Sequence, residues 1–206
     1  MSGSRERVFV VDDNPGVRRS LSRLLRSAGF EPLAFGSGEE FLSQLPVDAS
    51  GCLILDVSMP GLDGLALQRE ISSRGNGLAI VFLTGHGDIP KSVHAMKSGA
   101  VDFLTKPVDD EVLLAAVRQG LEAERSGRQA RHEVAEIESH LASLTERERE
   151  VLDGVVAGRL NKQIAGDLGI TEKTVKVHRA RVMAKMAVSS LAELVRFVSL
   201  TQSRRR

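Results

Sequence analysis

Short apolar runs alternate with amphipathic helical patterns along the first 120 residues, and this alternation restricts the fold more than any other feature. The runs are Val8–Val11, Pro32–Phe35, Cys52–Leu55, Ala79–Leu83 and Val101–Leu104. Because they are apolar throughout, we expect burial on both faces, which is typical of a parallel sheet covered by helices. Helical patterns at about 15–28, 37–45, 63–74 and 88–98, with another from Asp109, complete five strand–helix units. The sequence therefore predicts an α/β domain with a doubly wound, five-stranded parallel sheet.

A long helix is predicted after the last apolar run. From Asp109 to about Leu144 the chain has neither a strand-like run nor a proline, which predicts a helix of about 35 residues, or about 50 Å. Gly120 and Gly127 each cost about 1 kcal/mol of helix stability, so a break is possible at either. The end of this helix carries an apolar seam of Val134, Ile137, Leu141 and Leu144. The seam forms a dimer contact or packs on a neighbouring domain.

Residues 145–200 show only helical patterns. Thr145 is a predicted N-cap with a reciprocal Glu148, and Asn161 and Thr171 are predicted to cap two further helices. Gly169 separates these two helices by a tight turn. Four short helices with such a turn predict an all-α helix-turn-helix domain.

The charge divides along the chain in the same way. Residues 1–124 carry 12 Lys and Arg against 17 Asp and Glu, whereas residues 125–206 carry 16 against 10. A basic second half suggests a polyanionic partner, although uneven placement of solvated charge would give the same count. We therefore predict a domain at 1–124, a helical linker at 125–143 continuous with the last helix of that domain, and a basic domain at 144–206.

The composition excludes several classes of protein. A lone cysteine, Cys52, cannot form an internal disulfide and fits a reducing cytosol. No apolar run approaches the ~20 residues of a membrane-spanning helix, and the first residues lead straight into a strand, so neither a membrane partner nor a cleaved secretory signal is expected. Without Trp or Tyr, the chain is not expected to bind nucleic acid by stacking on aromatic side chains. We predict a cytoplasmic protein.

Five polar residues lie at the carboxyl ends of the predicted strands: Asp12, Asp13, Asp56, Thr84 and Lys106. Each alone has an ordinary explanation, such as a helix cap or a solvated lysine. Together they should meet at one edge of the sheet, where such folds bind ligands. Crowded carboxylates favour a bound Mg²⁺, while a lysine and a threonine hydroxyl can hold phosphoryl oxygens. This set predicts phosphoryl transfer to a carboxylate.

Four segments carry a family resemblance: Val10–Asn14, Leu55–Gly64, Leu83–Gly85 and Phe103–Pro107. Together they resemble the receiver domain of two-component response regulators, which has a flavodoxin-like fold. The resemblance, which covers residues ~6–124, implies that Asp56 is the phosphoacceptor and that Lys106 pairs with the phosphoryl group. It implies Mg²⁺ ligation by Asp13, Asp56 and the backbone carbonyl of Ser58, and by Asp12 through water. Thr84 and Phe103 would form a conformational switch, which lacks a phenolic hydroxyl here and so depends on packing.

Leu144–Leu152, Asn161–Ala165 and Thr174–Arg179 are similar to the LuxR-type helix-turn-helix domain. With the receiver-like part, residues ~6–200 resemble the NarL/FixJ class of response regulators, in particular FixJ-like transcription activators. In this class the helix from about residue 172 would enter the major groove. Its candidate base-reading residues are Lys173, Thr174, Lys176, Val177 and Arg181. Its candidate phosphate contacts are Asn161, Lys162, Thr171, His178, Arg179 and Lys185, with half-buried packing as the alternative for His178.

The resemblance implies a phosphorylation-dependent DNA-binding transcription regulator and not an enzyme that turns over a substrate. A sensor histidine kinase would phosphorylate Asp56, and a homodimer would then bind promoter DNA and act on RNA polymerase, with activation expected. Two other functions remain open. A phosphatase would need a second Asp two residues after Asp56, where the chain has Ser58. A phosphorelay or adaptor protein would not need the basic helix.

Overall fold

The computed structural model describes residues 5–46, 49–85 and 89–202, and the chain divides into two compact units, Met1–Arg128 and Gln129–Arg206. The described part of the first unit contains the strands β1 (Arg7–Val11), β2 (Glu31–Phe35), β3 (Cys52–Asp56), β4 (Ala79–Thr84) and β5 (Asp102–Thr105). Its helices are α1 (Pro15–Ser27), α2 (Gly38–Gln44), α3 (Gly64–Ser73), α4 (Ile89–Lys97) and the first part of α5 (Asp110–Ala142).

The strands form one parallel sheet in the order β2-β1-β3-β4-β5. The predicted doubly wound fold is confirmed. β3 and β4 are buried along their whole length, as expected for central strands. The prediction of burial on both faces is wrong for β2, most of which is exposed, and for β5, which is half-buried to exposed, because both are edge strands. The edge position of β2 accommodates Pro32, which has no N–H for an outer neighbour.

Helices cover both faces of the sheet because side chains alternate along each strand. Phe9 and Val11 of β1 pack on one face, in a core with residues of α2, α3 and α4. Val8 and Val10 pack on the other face, in a core with residues of α1 and α5. Because the strands are parallel, the polar residues that follow them meet at one edge of the sheet, next to the two apolar cores.

Gly120 does not break α5, which is continuous over 33 residues. A Cβ atom at this position would lie 2.9 Å from Cys52 Sγ and 3.3 Å from the Ala79 Cβ. Cys52 is fully buried, and burial raises the pKa of its thiol to about 12, so it is an inert core residue. The glycine is required because α5 approaches β3 and β4 more closely than an alanine would allow.

We expect Gly120→Ala to destabilise the first unit by about 1 kcal/mol. The gain in helix propensity is about 1 kcal/mol, whereas overpacking a closed core costs about 1–3 kcal/mol. Urea unfolding followed by circular dichroism measures the change. Gly166→Ala is the matched control, since a Cβ atom there would have no packing neighbour within 4 Å, and it should stabilise the second unit. An unchanged or raised urea midpoint for Gly120→Ala would contradict the packing argument.

The second unit contains, among its described residues, the end of α5 and the helices α6 (Glu146–Val156), α7 (Asn161–Leu168), α8 (Glu172–Lys185) and α9 (Leu191–Gln202). Its core includes Val151, Val175 and Leu194, together with Ile137 and Leu141 of α5. Of the two alternatives for the seam on α5, the structure favours packing on the neighbouring helices. The boundary between the units, at residues 128 and 129, falls inside the segment predicted as a linker.

In the part of the chain that the structure describes, none of the helices combines the length and the apolar content needed to cross a membrane.

Candidate functional site

Three of the predicted pocket residues are joined directly at the carboxyl edge of the sheet. The Lys106 ammonium donates hydrogen bonds to Asp12 Oδ2 at 2.6 Å and to Asp56 Oδ1 at 2.9 Å. Asp12 follows β1, Asp56 ends β3 and Lys106 follows β5, so the parallel sheet brings them together from distant parts of the sequence. Asp12 and Asp56 are only 2% and 6% exposed. The lysine therefore compensates two buried carboxylates.

The charges of the pocket are not fully balanced. Burial raises the pKa of Asp56, and the charges of Asp12 and Asp13 act in the same direction, against the hydrogen bond and charge of Lys106. For Lys106, burial works to lower the pKa, but the hydrogen bonds to Asp12 and Asp56 outweigh it and the pKa is raised. The pocket thus holds excess negative charge around a lysine that stays protonated.

Asp12 is oriented by its backbone surroundings. Its Oδ1 atom accepts a hydrogen bond from the Asn14 N–H at 2.8 Å, and Arg18 donates to its carbonyl oxygen at 2.6 Å. Asn14 in turn caps α1 by accepting from the Gly16 and Val17 N–H groups. The start of α1 therefore fixes the direction of the Asp12 carboxylate.

A divalent cation fits the chemistry of these donors. Among the described residues, no three His, Cys, Asp or Glu side chains are already arranged as a metal-binding group, and Lys106 bridges Asp12 and Asp56. The exposed Asp13 nevertheless lies near enough for its charge to raise the pKa of Asp56. Hard carboxylate oxygens with unbalanced negative charge are the environment that Mg²⁺ prefers.

The remaining predicted pocket residues lie around this centre. Thr84 ends β4, is 2% exposed, and accepts a hydrogen bond at its backbone oxygen from the Lys106 N–H at 2.7 Å. Phe103 of β5 is half-buried, with its ring centroid 5.8 Å from that of Phe82. Ser58 lies two residues beyond Asp56, in the loop between β3 and α3, with its side chain exposed. The structure places all the predicted residues at this edge or beside it, and their roles stay predictions.

In the second unit, α7 and α8 form the predicted helix-turn-helix. Gly169 is the C-cap of α7, and Thr171 caps α8 by accepting from the Thr174 N–H at 3.2 Å. Val175 and Val182 bury one side of α8 in the core of this unit. The opposite side of α8 is free to meet a partner.

The exposed side of α8 is cationic. Lys173, Lys176, Val177, Ala180 and Arg181 are exposed, and their spacing of three and four residues places them on one helix face. We call these five residues the α8 face. Thr174, predicted to read bases, is half-buried instead, and its hydroxyl lies 2.9 Å from that of Thr171. Thr174 therefore contributes to the cap at the start of α8 and does not lie on the α8 face.

Asn161 and Arg179 are bonded to each other. The Arg179 guanidinium donates to Asn161 Oδ1 at 2.9 Å. The prediction that Asn161 caps α7 is wrong, since Asn161 is the first residue of the helix and Leu160 is the N-cap. The Asn161 side-chain oxygen, which would accept from a backbone N–H in a cap, accepts from Arg179 of α8 instead. Lys162, the next residue of α7, is exposed.

Two other residues that were predicted to contact phosphates interact with the rest of the domain instead. His178 is half-buried, and its Nδ1 atom is buried with no hydrogen-bond partner among the described residues. The Lys185 ammonium donates to Glu148 Oε2 at 2.6 Å and to the Ser143 carbonyl at 3.0 Å. A buried Nδ1 atom and an ammonium already paired with a carboxylate are less available to a phosphate, so a structural role is favoured for both residues.

Glu148 is the centre of a buried polar cluster at the start of α6. Its carboxylate accepts from Lys185 and from the Thr145 N–H at 2.9 Å, while the Glu148 N–H donates to Thr145 Oγ1, so the predicted capping box is confirmed. The hydrogen bond from Lys185, followed by that from the Thr145 backbone, lowers the pKa of Glu148 from 4.5 to about 2. The sequence predicted the cap but not the ion pair between Glu148 and Lys185.

The cluster predicts a pH dependence of stability. Because folding lowers the pKa of Glu148, its stabilising contribution is present above pH 4.5 and is lost as the pH falls towards 2. Glu148→Gln should be less stable than wild type at neutral pH and should lose less on acidification. Urea midpoints of the second unit between pH 7 and pH 3 measure both effects. Glu150→Gln is the control, because Glu150 forms a more exposed ion pair with Arg147. If Glu148→Gln lost as much stability on acidification as wild type does, the prediction would be refuted.

Two families match the chain. Residues 8–118 match the family described as response regulator receiver domain, and residues 142–198 match the luxR family of bacterial regulatory proteins. Each segment lies within one of the two compact units, the first with the Asp12–Lys106–Asp56 pocket and the second with the α8 face.

Several known proteins are similar over almost the whole chain. Nodulation protein W of Bradyrhizobium diazoefficiens is 49% identical, over 92% of this chain and 83% of that protein. The transcriptional regulatory protein FixJ of Azorhizobium caulinodans is 48% identical, over 94% of this chain and 92% of that protein. Among solved structures, the response regulator StyR matches with a TM-score of 0.84 and 48% identity, covering 95% of this chain and 99% of that one.

Proposed function

The chain belongs to the bacterial response regulators in which a LuxR-family domain follows a receiver domain, and we propose that it regulates transcription through a phosphoryl group carried on Asp56. The observation that carries this assignment is the contact of Lys106 with the buried carboxylates of Asp12 and Asp56. A buried strand-end aspartate beside a protonated lysine is suited to accept a phosphoryl group. FixJ, a relative named as a transcriptional regulatory protein, supports a DNA-binding output over an adaptor or phosphatase.

The transfer is a displacement at phosphorus. An oxygen of the Asp56 carboxylate attacks the phosphorus of a phosphohistidine on a sensor histidine kinase. The P–N bond breaks as the P–O bond forms, and the imidazole nitrogen keeps the electron pair and takes a proton from water. Lys106 holds the Asp56 carboxylate before transfer and afterwards neutralises a phosphoryl oxygen.

Mg²⁺ would be held by the carboxylates of Asp13 and Asp56 and the Ser58 carbonyl, with Asp12 acting through water. When bound, it supplies positive charge that offsets the phosphoryl oxygens. The unbalanced charge around Asp56 supports this assignment.

The signal then passes to the surface of the receiver domain. The Thr84 hydroxyl moves to the phosphoryl oxygen, and the Phe103 ring, half-buried beside Phe82, moves inward. This shifts the receiver towards a state that dimerises. Two LuxR-type domains then bind a repeated DNA site together, and the dimer activates transcription through RNA polymerase.

The α8 face contacts DNA. Lys173, Lys176 and Arg181 reach base edges and Val177 contacts a thymine methyl group, while Lys162 holds a phosphate. Arg179 and Asn161 contribute as a bonded pair. Lys185 and His178 support the fold of the domain.

The kinase docks on the arginine face of α1. Arg18, Arg19, Arg23 and Arg26 line one groove of about 500 Å³ with Ala34 of β2, and α1 has no acidic residue. Arg19, Arg23 and Arg26 make no ion pair with a described residue. Arg18 donates to the Asp12 carbonyl, so the groove starts beside the phosphoacceptor pocket. This placement fits an acidic kinase surface.

Charge reversal on this face should slow phosphorylation of Asp56 by a kinase but not its phosphorylation by acetyl phosphate. We expect Arg19→Glu combined with Arg23→Glu to slow phosphotransfer by about 10-fold or more from a sensor kinase that phosphorylates the wild type, since like charges repel across an interface. Uptake from acetyl phosphate should stay near the wild-type rate. Radiolabel transfer measures both rates, and the matched control combines Arg69→Glu on α3 with Arg74→Glu at the C-cap of that helix. Equal slowing in both pairs of variants would place the kinase elsewhere.

The proposed function is tested by selecting genomic DNA fragments with the full-length protein, with and without acetyl phosphate and Mg²⁺. Enrichment of a shared repeat only in the phosphorylated sample is the expected result. Equal enrichment in both samples would remove phosphorylation as the gate, and enrichment in neither would overturn DNA binding.

A further inference from the structure

The loop between β3 and α3, residues 57–63, follows Asp56 directly and carries Ser58. Its ends are fixed within its own strand and helix. The Gly64 N–H donates to the Val57 carbonyl at 3.1 Å, and Asp63 caps α3 by accepting from the Ala66 N–H at 2.7 Å. The part of the loop before Asp63 is held from a different element, α2.

Glu39, the second residue of α2, makes this contact. Its Oε1 atom accepts a hydrogen bond from the Leu62 N–H at 2.8 Å, across 23 positions of the sequence. Gly61 has a φ of +75°, and a Cβ atom there would lie 2.6 Å from the same Oε1 atom. The loop is therefore shaped to let its backbone approach the Glu39 carboxylate.

The contact is charge-assisted. Hydrogen bonds from the Glu39 and Leu62 backbone N–H groups lower the pKa of Glu39, which is therefore ionised at neutral pH. The neighbouring Glu40 also bonds a backbone N–H, that of Gly36 at 2.6 Å, but Gly36 precedes α2 and lies outside the loop. The two adjacent glutamates thus hold different segments of backbone.

We infer that Glu39 is a positioning residue for the phosphoacceptor pocket, which holds loop 57–63 so that the Ser58 carbonyl is directed to the Mg²⁺ site beside Asp56. This inference rests on the proposed function, because Mg²⁺ and Asp56 have their roles there. A loop fixed only at its ends would leave the carbonyl free to turn away, and part of the binding energy of the cation would go into ordering the loop.

Three variants of the full-length protein test this inference: Glu39→Ala, Glu39→Gln and Glu40→Ala. Hydrogen–deuterium exchange without metal should speed up at the Leu62 amide in Glu39→Ala and not in Glu40→Ala. The Mg²⁺ concentration for half-maximal phosphorylation by acetyl phosphate should rise about five-fold in Glu39→Ala, the size of effect expected for one hydrogen bond, with a smaller change in the maximal rate. Glu39→Gln keeps the acceptor oxygen and should restore both properties to within about two-fold of wild type.

The inference is overturned if Glu39→Ala needs no more Mg²⁺ than wild type, if Glu40→Ala shifts the requirement equally, or if glutamine does not rescue. A wild-type chain that takes up no phosphoryl group at Asp56 overturns the proposed function and this inference with it. Normal uptake with an unchanged Mg²⁺ requirement in Glu39→Ala overturns this inference alone.

Discussion

Replacing Asp56 by asparagine is expected to abolish phosphoryl uptake and, with it, phosphorylation-dependent dimerisation and the gain in DNA affinity. An amide oxygen is too weak a nucleophile to displace a leaving group from phosphorus, while asparagine keeps the shape of the side chain and an acceptor for Lys106. The loss should be complete. Intact mass after incubation with acetyl phosphate and Mg²⁺ measures uptake, and sedimentation velocity measures dimerisation.

The same variant should fold at least as stably as wild type. Burial and the nearby charges of Asp12 and Asp13 raise the pKa of Asp56, so its ionised form is disfavoured in the folded protein and a neutral side chain relieves that cost. Thermal unfolding then separates lost chemistry from lost structure. Asp153→Asn, at an exposed carboxylate of α6, is the matched control. Full phosphoryl uptake by Asp56→Asn would assign the phosphoacceptor to another residue.

Lys176→Ala is expected to weaken binding to a selected DNA site by about 5- to 150-fold, the effect of losing one base contact. Lys176 is central on the α8 face, and the exposed residues beside it lie three and four positions away. The variant should also tolerate changes at one base position that wild type rejects. Lys162→Ala, by contrast, should weaken binding to all sequences alike and reduce the slope of log affinity against log salt by about 1.

Fluorescence anisotropy with labelled duplexes at several salt concentrations measures these effects. Arg147→Ala is the control, because Arg147 is an exposed cation paired with Glu150 at the start of α6 and outside the α8 face. Wild-type affinity for Lys176→Ala together with reduced affinity for Arg147→Ala would place the DNA on another surface of the domain.

The elements of the fold could be predicted closely from the sequence because their signals are local. The long helix was expected from Asp109 to about Leu144 and extends over Asp110–Ala142. Thr145 and Thr171 cap the helices for which they were predicted, since a cap needs only a hydroxyl and an N–H group three residues away. The pocket residues were also predictable, because parallel strands carry their carboxyl ends to one edge.

Burial and pairing were less predictable. Nothing in the sequence around Gly120 indicates that Cys52 and Ala79 lie against it, so the glycine suggested a break in a helix that is continuous. β2 was expected to be buried like the other strands because its composition does not reveal that it lies at the edge of the sheet. Glu39 looked like an ordinary acidic residue at a helix start until Leu62 was placed beside it.

By itself, the sequence determined the order and type of the elements, the two-domain organisation and the residue types of the phosphoacceptor pocket, because periodicity, capping and strand-end position are properties of neighbouring residues. Only the tertiary structure decided which cations are available to a partner. Lys185 and Lys176 look equally free in the sequence, yet Lys185 is neutralised by Glu148, 37 positions away, while Lys176 is exposed on α8. A charged side chain is unavailable to a partner when an opposite charge lies next to it in space, and the packing of the helices decides which charges become neighbours.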